Sequence, residues 1–108
     1  MRFAFIYTEL FEKTAADLLT DPIMEGVENT LCINPRAGDV IRDTNGVRKL
    51  RVALPGRGKC GSARVTYLYI EVGGTVYFLL AYAKTTQGNV TSAQKKLLAA
   101  WATRLKEE

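Results

Sequence analysis

The sequence predicts an α+β fold: a twisted antiparallel sheet with helices on one face, in the order β-α-α-(β)-β-β-β-α. Residues 62–72 and 75–84 are rich in β-branched and aromatic side chains, and the Gly73-Gly74 pair between them is typical of a tight hairpin turn. Apolar residues recur at helical spacing before these strands and again after them. Two N-terminal helices and one C-terminal helix are therefore expected around a sheet.

The N-terminal third predicts one strand and two helices. Residues 2–7, RFAFIY, are aromatic and favour a first strand. Residues 8–19 form an amphipathic pattern with Thr8 as the expected N-cap. Asp21 and Pro22 then predict the cap and first position of a second helix, which ends ahead of the Asn-Pro pair that follows it.

The rest of the chain predicts short strands, a loop and a helix. Residues 40–41 favour a short strand and residues 47–54 a longer one, and residues 55–61 form a glycine-rich basic loop. Thr91 and Gln94 match a capping box that opens the last helix. The apolar face expected on that helix consists of Ala93, Leu97, Leu98, Trp101 and Leu105.

Composition predicts a single domain, residues 1–108, with one concentration of positive charge. Of 15 basic residues, seven fall within residues 42–64, against one of 11 acids, so this segment accounts for the net charge of +4. Such a concentration attracts phosphate-rich partners, although a solvated loop would show the same composition. The seven are Arg42, Arg48, Lys49, Arg51, Arg57, Lys59 and Arg64.

Several classes of function are disfavoured. The chain has no histidine, which excludes Ser-His and Cys-His nucleophile systems. Cys32 and Cys60 lack any metal-ligand spacing, so reduced thiols, no metal and a cytoplasmic location are expected. No apolar run approaches the roughly 20 residues of a membrane span, and no signal peptide is expected.

Strand alternation allows four cations to share one face of the sheet. Lys49 and Arg51 lie on the same side of their strand, Arg64 begins the next strand, and Tyr82 and Lys84 share a face on the strand after it. If these strands are neighbours the cations can converge, although the sequence does not determine the hairpin register. A surface of this kind could cleave RNA without histidine, because its cations would hold phosphate and its lysines would exchange protons. It could also bind nucleic acid without any catalysis.

Residues 34–84 resemble the RelE/ParE superfamily of bacterial toxins, most closely its HigB-type branch. The similarity lies in GDVIRDTNGVRKLRVA, in GRGKCGSAR and in the final strand FLLAYAK. It implies a RelE-like fold and the toxin of a type II toxin–antitoxin pair, with the ribosome, mRNA and a cognate antitoxin as partners. It also implies metal-independent cleavage of mRNA in the ribosomal A site by the 2′-OH, with no cofactor.

The resemblance also suggests roles for single residues. Arg64 would stabilise the transition state, Lys84 would transfer a proton or neutralise charge, and Lys49 and Arg51 would hold phosphates. The residues expected to contact RNA or the ribosome are Arg48, Arg57 and Lys59, with Tyr82 either stacking on a base or packing in the core.

Two departures from the branch thin the positive charge. The tripeptide after Lys84 begins with Thr85-Thr86 where Asn-Glu is common, and Cys60 replaces a frequent basic residue. These departures leave room for a weakened nuclease or an altered target. The alternatives to a nuclease are a same-fold poison of DNA gyrase, as the ParE side of the superfamily suggests, and a nucleic-acid-binding module without toxicity.

Overall fold

A computed structural model of the chain describes residues 3–54 and 61–107. Within these ranges the α+β class and the predicted order of elements are confirmed. The elements are β1 (Ala4–Tyr7), α1 (Glu9–Ala15), α2 (Asp21–Ile33), β2 (Asp39–Val40), β3 (Arg48–Ala53), β4 (Ser62–Ile70), β5 (Thr75–Ala83) and α3 (Ser92–Glu107).

The strands form one mixed sheet in the order β1-β5-β4-β3-β2. The four strands from β2 to β5 pair antiparallel with their neighbours, as expected, whereas β1 pairs parallel to β5. A parallel pair needs a long crossover connection, and here α1, α2 and the rest of the sheet lie between the two strands in sequence. The sheet is therefore antiparallel except at the β1 edge.

Helices cover both faces of the sheet, so the expectation that all helices share one face is wrong. The helices α1 and α2 pack on the face that carries Leu50, Val65 and Phe78. Helix α3 packs on the opposite face, where Leu98 and Leu105 join a second cluster with strand residues of β4 and β5. Both faces of β5 are apolar, and covering each one removes that apolar surface from water.

A β-bulge in β5 decides which face its last residues occupy. Thr66 pairs with Leu80 and Tyr67 with Phe78, so Leu79 is an extra residue opposite β4. Phe78 faces α1 and α2, yet Leu80 faces α3, because the extra residue shifts the alternation by one. Every residue beyond the bulge is thereby moved to the opposite face.

The helix caps agree in part with the predicted signals. The hydroxyl of Thr8 accepts a hydrogen bond from the backbone of Phe11, as expected for an N-cap. The capping box is also confirmed, since the Thr91 hydroxyl and the Gln94 side chain accept from each other's backbone N–H at 3.1 and 2.9 Å. For α2 the cap is Thr20 rather than Asp21, which is itself the first helical residue.

The turn before β2 is held by a buried tyrosine. The hydroxyl of Tyr67 donates to the Pro35 carbonyl and accepts from the Gly38 backbone N–H, each at 2.9 Å. A guanidinium nitrogen of Arg48 donates to the Gly38 carbonyl at 2.7 Å. These bonds fix the backbone immediately before Asp39.

Adding a side chain at Gly38 is expected to destabilise this turn. A Cβ there would lie 2.7 Å from the Lys49 carbonyl oxygen and 2.9 Å from a ring carbon of Tyr67. We expect Gly38→Ala to lower the free energy of unfolding by about 1–3 kcal/mol in urea titrations, as overpacking does elsewhere. Gly26→Ala is the control: nothing lies within 4 Å of its Cβ, so higher helix propensity should stabilise α2 by up to about 1 kcal/mol. Equal effects of the two changes would contradict this account.

Candidate anion-binding site

The strand register brings four predicted cations onto one face. Arg51 lies directly opposite Arg64, and Arg64 directly opposite Tyr82, so these three form a row across β3, β4 and β5. Lys49 lies one row away on the same side of β3. Lys84 follows β5, and its backbone N–H donates to the Ser62 carbonyl at 3.1 Å. The face concerned is the one that α3 covers farther along the sheet.

These cations line a cleft of about 290 Å³. Its walls also include an acid from β2 and two residues of the loop between β5 and α3. The lining residues are Asp39, Lys49, Arg51, Arg64, Lys84, Gly88 and Asn89.

The positive charge of the cleft is not neutralised by ion pairs in the described part of the chain. The ion pairs found there within 4 Å are Lys13 with Glu9 and Arg36 with Glu71, all outside the cleft. Like charges directly opposite each other on a sheet destabilise it, and Arg51 and Arg64 are such a pair. A bound anion would relieve this repulsion, so the cleft is suited to phosphate.

Local hydrogen bonds orient the cations and the loop beside them. A guanidinium nitrogen of Arg64 donates to the Ala63 carbonyl at 3.2 Å. The ammonium of Lys49 donates to the side-chain oxygen of Asn89 at 3.4 Å. Gln87 holds that loop by donating to the Asn89 carbonyl and to the side chain of Gln94, at 2.9 and 2.8 Å. Sequence reasoning missed Asn89, whose only signal was a polar loop ahead of a capping box.

Tyr82 lies in the core and is not available as a stacking surface. Its side chain is 6% exposed and packs with Leu98 and Leu105 of α3. Burial raises the pKa of Tyr82, and the nearby charge of Arg64 offsets part of that rise. Its hydroxyl has no hydrogen-bond partner among residues 3–54 and 61–107. Of the two expected roles of Tyr82, stacking on a base or packing in the core, the structure favours packing in the core, because α3 covers the ring.

Arg48 is not in the cleft either. Because successive side chains of a strand point to opposite faces, Arg48 lies on the α1/α2 side of β3, opposite to Lys49. There its guanidinium donates to the carbonyls of Gly38 and Arg36. Its placement supports the turn before β2 rather than the predicted RNA contact. The other predicted RNA or ribosome contacts, Arg57 and Lys59, lie outside the described residues. Cys60 lies outside them as well.

Residues 3–54 and 61–107 contain neither a helix that could span a membrane nor a cluster of metal-binding side chains. No helix there is long and apolar enough to cross a bilayer. Over the same ranges, no group of three or more His, Cys, Asp or Glu side chains is arranged to hold a metal ion.

Comparison with known proteins identifies the family to which this fold with its basic cleft belongs. The structure is similar to that of a double mutant of the Escherichia coli toxin RelE in the free state, with a TM-score of 0.55, 13% identity, and coverage of 94% of this chain and 97% of that one. Residues 38–108 match the family model described as RelE toxin of the RelE/RelB toxin–antitoxin system. The chain belongs to the RelE toxin family. The predicted superfamily is thus confirmed, and membership implies an antitoxin as partner.

Proposed function

We propose that this toxin is a ribosome-dependent endoribonuclease of the HigB type, which acts in the cytoplasm and cuts mRNA in the ribosomal A site. One observation carries the proposal: Arg51 and Arg64 face each other across two strands, in a cleft that Lys49 and Lys84 also line. The repulsion between these two arginines lowers the stability of the sheet, and a bound anion would offset it. The phosphates of the mRNA backbone are such anions.

The residues that line the cleft support a mechanism of transesterification by a 2′-OH. Arg64, half-buried and oriented by its own strand, would clamp the scissile phosphate and stabilise the charge that develops on it. Lys49 and Arg51 would hold the phosphate oxygens. Lys84, at the exposed end of β5, would protonate the departing 5′-oxygen. The antitoxin would suppress this activity in the cell.

Cleavage of mRNA by purified toxin on programmed ribosomes tests the proposal. Wild-type toxin should produce mRNA ends within the A-site codon, and Lys84→Ala should lower the single-turnover rate by about 10²-fold, as loss of a general acid does. Lys13→Ala is the matched control, because this exposed lysine of α1 lies on the other side of the sheet and should leave the rate unchanged.

Two outcomes would contradict the nuclease proposal, and a third would remove only the role of Lys84. Induction of DNA damage without A-site mRNA ends would indicate a gyrase poison, as on the ParE side of the superfamily. Binding of nucleic acid without toxicity or cleavage would indicate a non-catalytic binding module. Equal rates for Lys84→Ala and wild type would remove Lys84 from the site while leaving the nuclease assignment in place.

A further inference from the structure

In the described part of the chain, one carboxylate faces the cations of the cleft. Asp39 of β2 pairs with Lys49 of β3, and residues paired across strands project from the same face of a sheet. Asp39 therefore lies on the side that carries Arg51 and Arg64, and it is the one acid among the residues found to line the cleft.

The carboxylate of Asp39 is exposed and forms no ion pair with the described residues, while the backbone that carries it is fixed. The backbone before it is fixed by the bonds of Gly38 to Tyr67 and Arg48. Among the described residues, no basic group lies within 4 Å of its oxygens. Burial is the main cause that raises the pKa of Tyr67, on the far side of the strand; the bond from Gly38 and the charge of Arg48 oppose this rise, and the charge of Asp39 adds to it. The charged and titratable groups around it are Lys49 and Arg51 on β3, Arg48 and Tyr67 behind it, Arg64 on β4 and Lys84 after β5.

The other groups of the cleft are poor proton acceptors. Arginine side chains stay protonated in proteins, and lysines ordinarily carry their proton at neutral pH. Beside the cleft, the buried phenol of Tyr82 has a raised pKa and so also keeps its proton. The amide of Asn89 cannot serve as a base near neutral pH. Among the described residues that line the cleft, the carboxylate of Asp39 is thus the remaining acceptor, and the chain has no histidine.

We propose that Asp39 is the general base of the cleavage reaction, an inference that rests on the nuclease function proposed above. The carboxylate takes the proton of the 2′-OH as that oxygen forms a bond to the adjacent phosphorus. The bond from phosphorus to the 5′-oxygen breaks, and the leaving oxygen takes a proton from the Lys84 ammonium. The products are a 2′,3′-cyclic phosphate and a 5′-hydroxyl, and exchange with water restores both side chains.

Asp39→Asn tests this role with little change in shape. Single-turnover cleavage on programmed ribosomes should fall about 10²–10⁴-fold. Ribosome binding should be equal or tighter, since a negative charge is removed from a basic surface. Asp43→Asn is the matched control: Asp43 is exposed outside the cleft with φ of 64°, a conformation that asparagine also adopts, so its rate should equal that of wild type.

The pH dependence distinguishes a base from a positioning residue. For wild type the rate should fall at acidic pH as the base becomes protonated, and in Asp39→Asn that fall should be absent. Asp39→Glu keeps a carboxylate and should recover part of the rate together with the acidic fall. Thermal melting should show that all variants are folded.

The failures of the two proposals can be told apart. Wild-type cleavage together with an Asp39→Asn rate and pH profile equal to wild type would overturn the role of Asp39 and leave the nuclease function standing. Absence of cleavage by the wild type would overturn both.

Discussion

Replacing Arg64 with alanine is expected to lower the single-turnover rate of mRNA cleavage by about 10²–10³-fold, the usual cost of losing a group that stabilises transition-state charge. Arg64 occupies the centre of the cationic row, between Arg51 and Tyr82, and its guanidinium is oriented by the Ala63 carbonyl. A cation fixed in this way needs little reorganisation when charge develops on the phosphate. Arg64→Lys keeps the charge but loses the bidentate geometry, so an intermediate rate is expected.

The same substitution should leave the fold intact or slightly more stable. Because Arg51 and Arg64 repel each other, Arg64→Ala should raise the free energy of unfolding by a few tenths to about 1 kcal/mol, measured by urea titration. Arg104→Ala is the control, since this exposed arginine of α3 lies outside the cleft and its loss should not alter cleavage. An Arg64→Ala protein that is both inactive and strongly destabilised would indicate a structural role instead.

Replacing Phe78 with alanine is expected to have the largest effect on stability, a loss of about 3–5 kcal/mol. Phe78 is fully buried, and its ring centroid lies 4.9 Å from that of Tyr7 and 5.3 Å from that of Phe11. It therefore joins β5 to β1 and α1 in one aromatic cluster. Because native domains are stable by only about 5–15 kcal/mol, a large part of the protein should be unfolded or aggregated on expression.

Two comparisons isolate the cause of that loss. Phe78→Leu leaves a smaller cavity and should cost less than Phe78→Ala in urea or thermal unfolding. Val72→Ala, in the exposed turn between β4 and β5, removes apolar atoms from a side chain that is 89% exposed and should change stability by no more than about 0.5 kcal/mol. A loss below about 1 kcal/mol for Phe78→Ala would show that the aromatic cluster does not support the fold.

Local signals predicted much of this fold, because they depend on residues close together in sequence. The capping box of Thr91 and Gln94 forms as expected, and so does the turn at Gly73-Gly74, where both glycines have positive φ. Alternation also predicted that Lys49 and Arg51 share a face. For α2 the same type of signal was off by one residue, since Thr20 and Asp21 can both cap a helix and only the backbone path selects one.

The candidate site was predicted only in part. Lys49, Arg51, Arg64 and Lys84 could be named from charge and alternation, and the structure places all four around one cleft. Asn89 could not be named, because nothing in a polar loop indicates which side chain turns toward a distant strand. Arg48 and Tyr82 carry suitable chemistry, but contacts with Gly38 and with α3 respectively remove them from the cleft.

By itself, then, the sequence determined the types of element, the family resemblance and the concentration of positive charge, all of which are properties of short segments. Only the tertiary structure decided that the cations meet. Without the extra residue Leu79, simple alternation from Phe78 would turn Lys84 toward α1 and α2, away from Arg64. The pairing of β2 with β3 likewise brings Asp39 to Lys49. Register and bulges arise from packing between distant segments, and a shift of one residue moves a whole set of side chains to the other face.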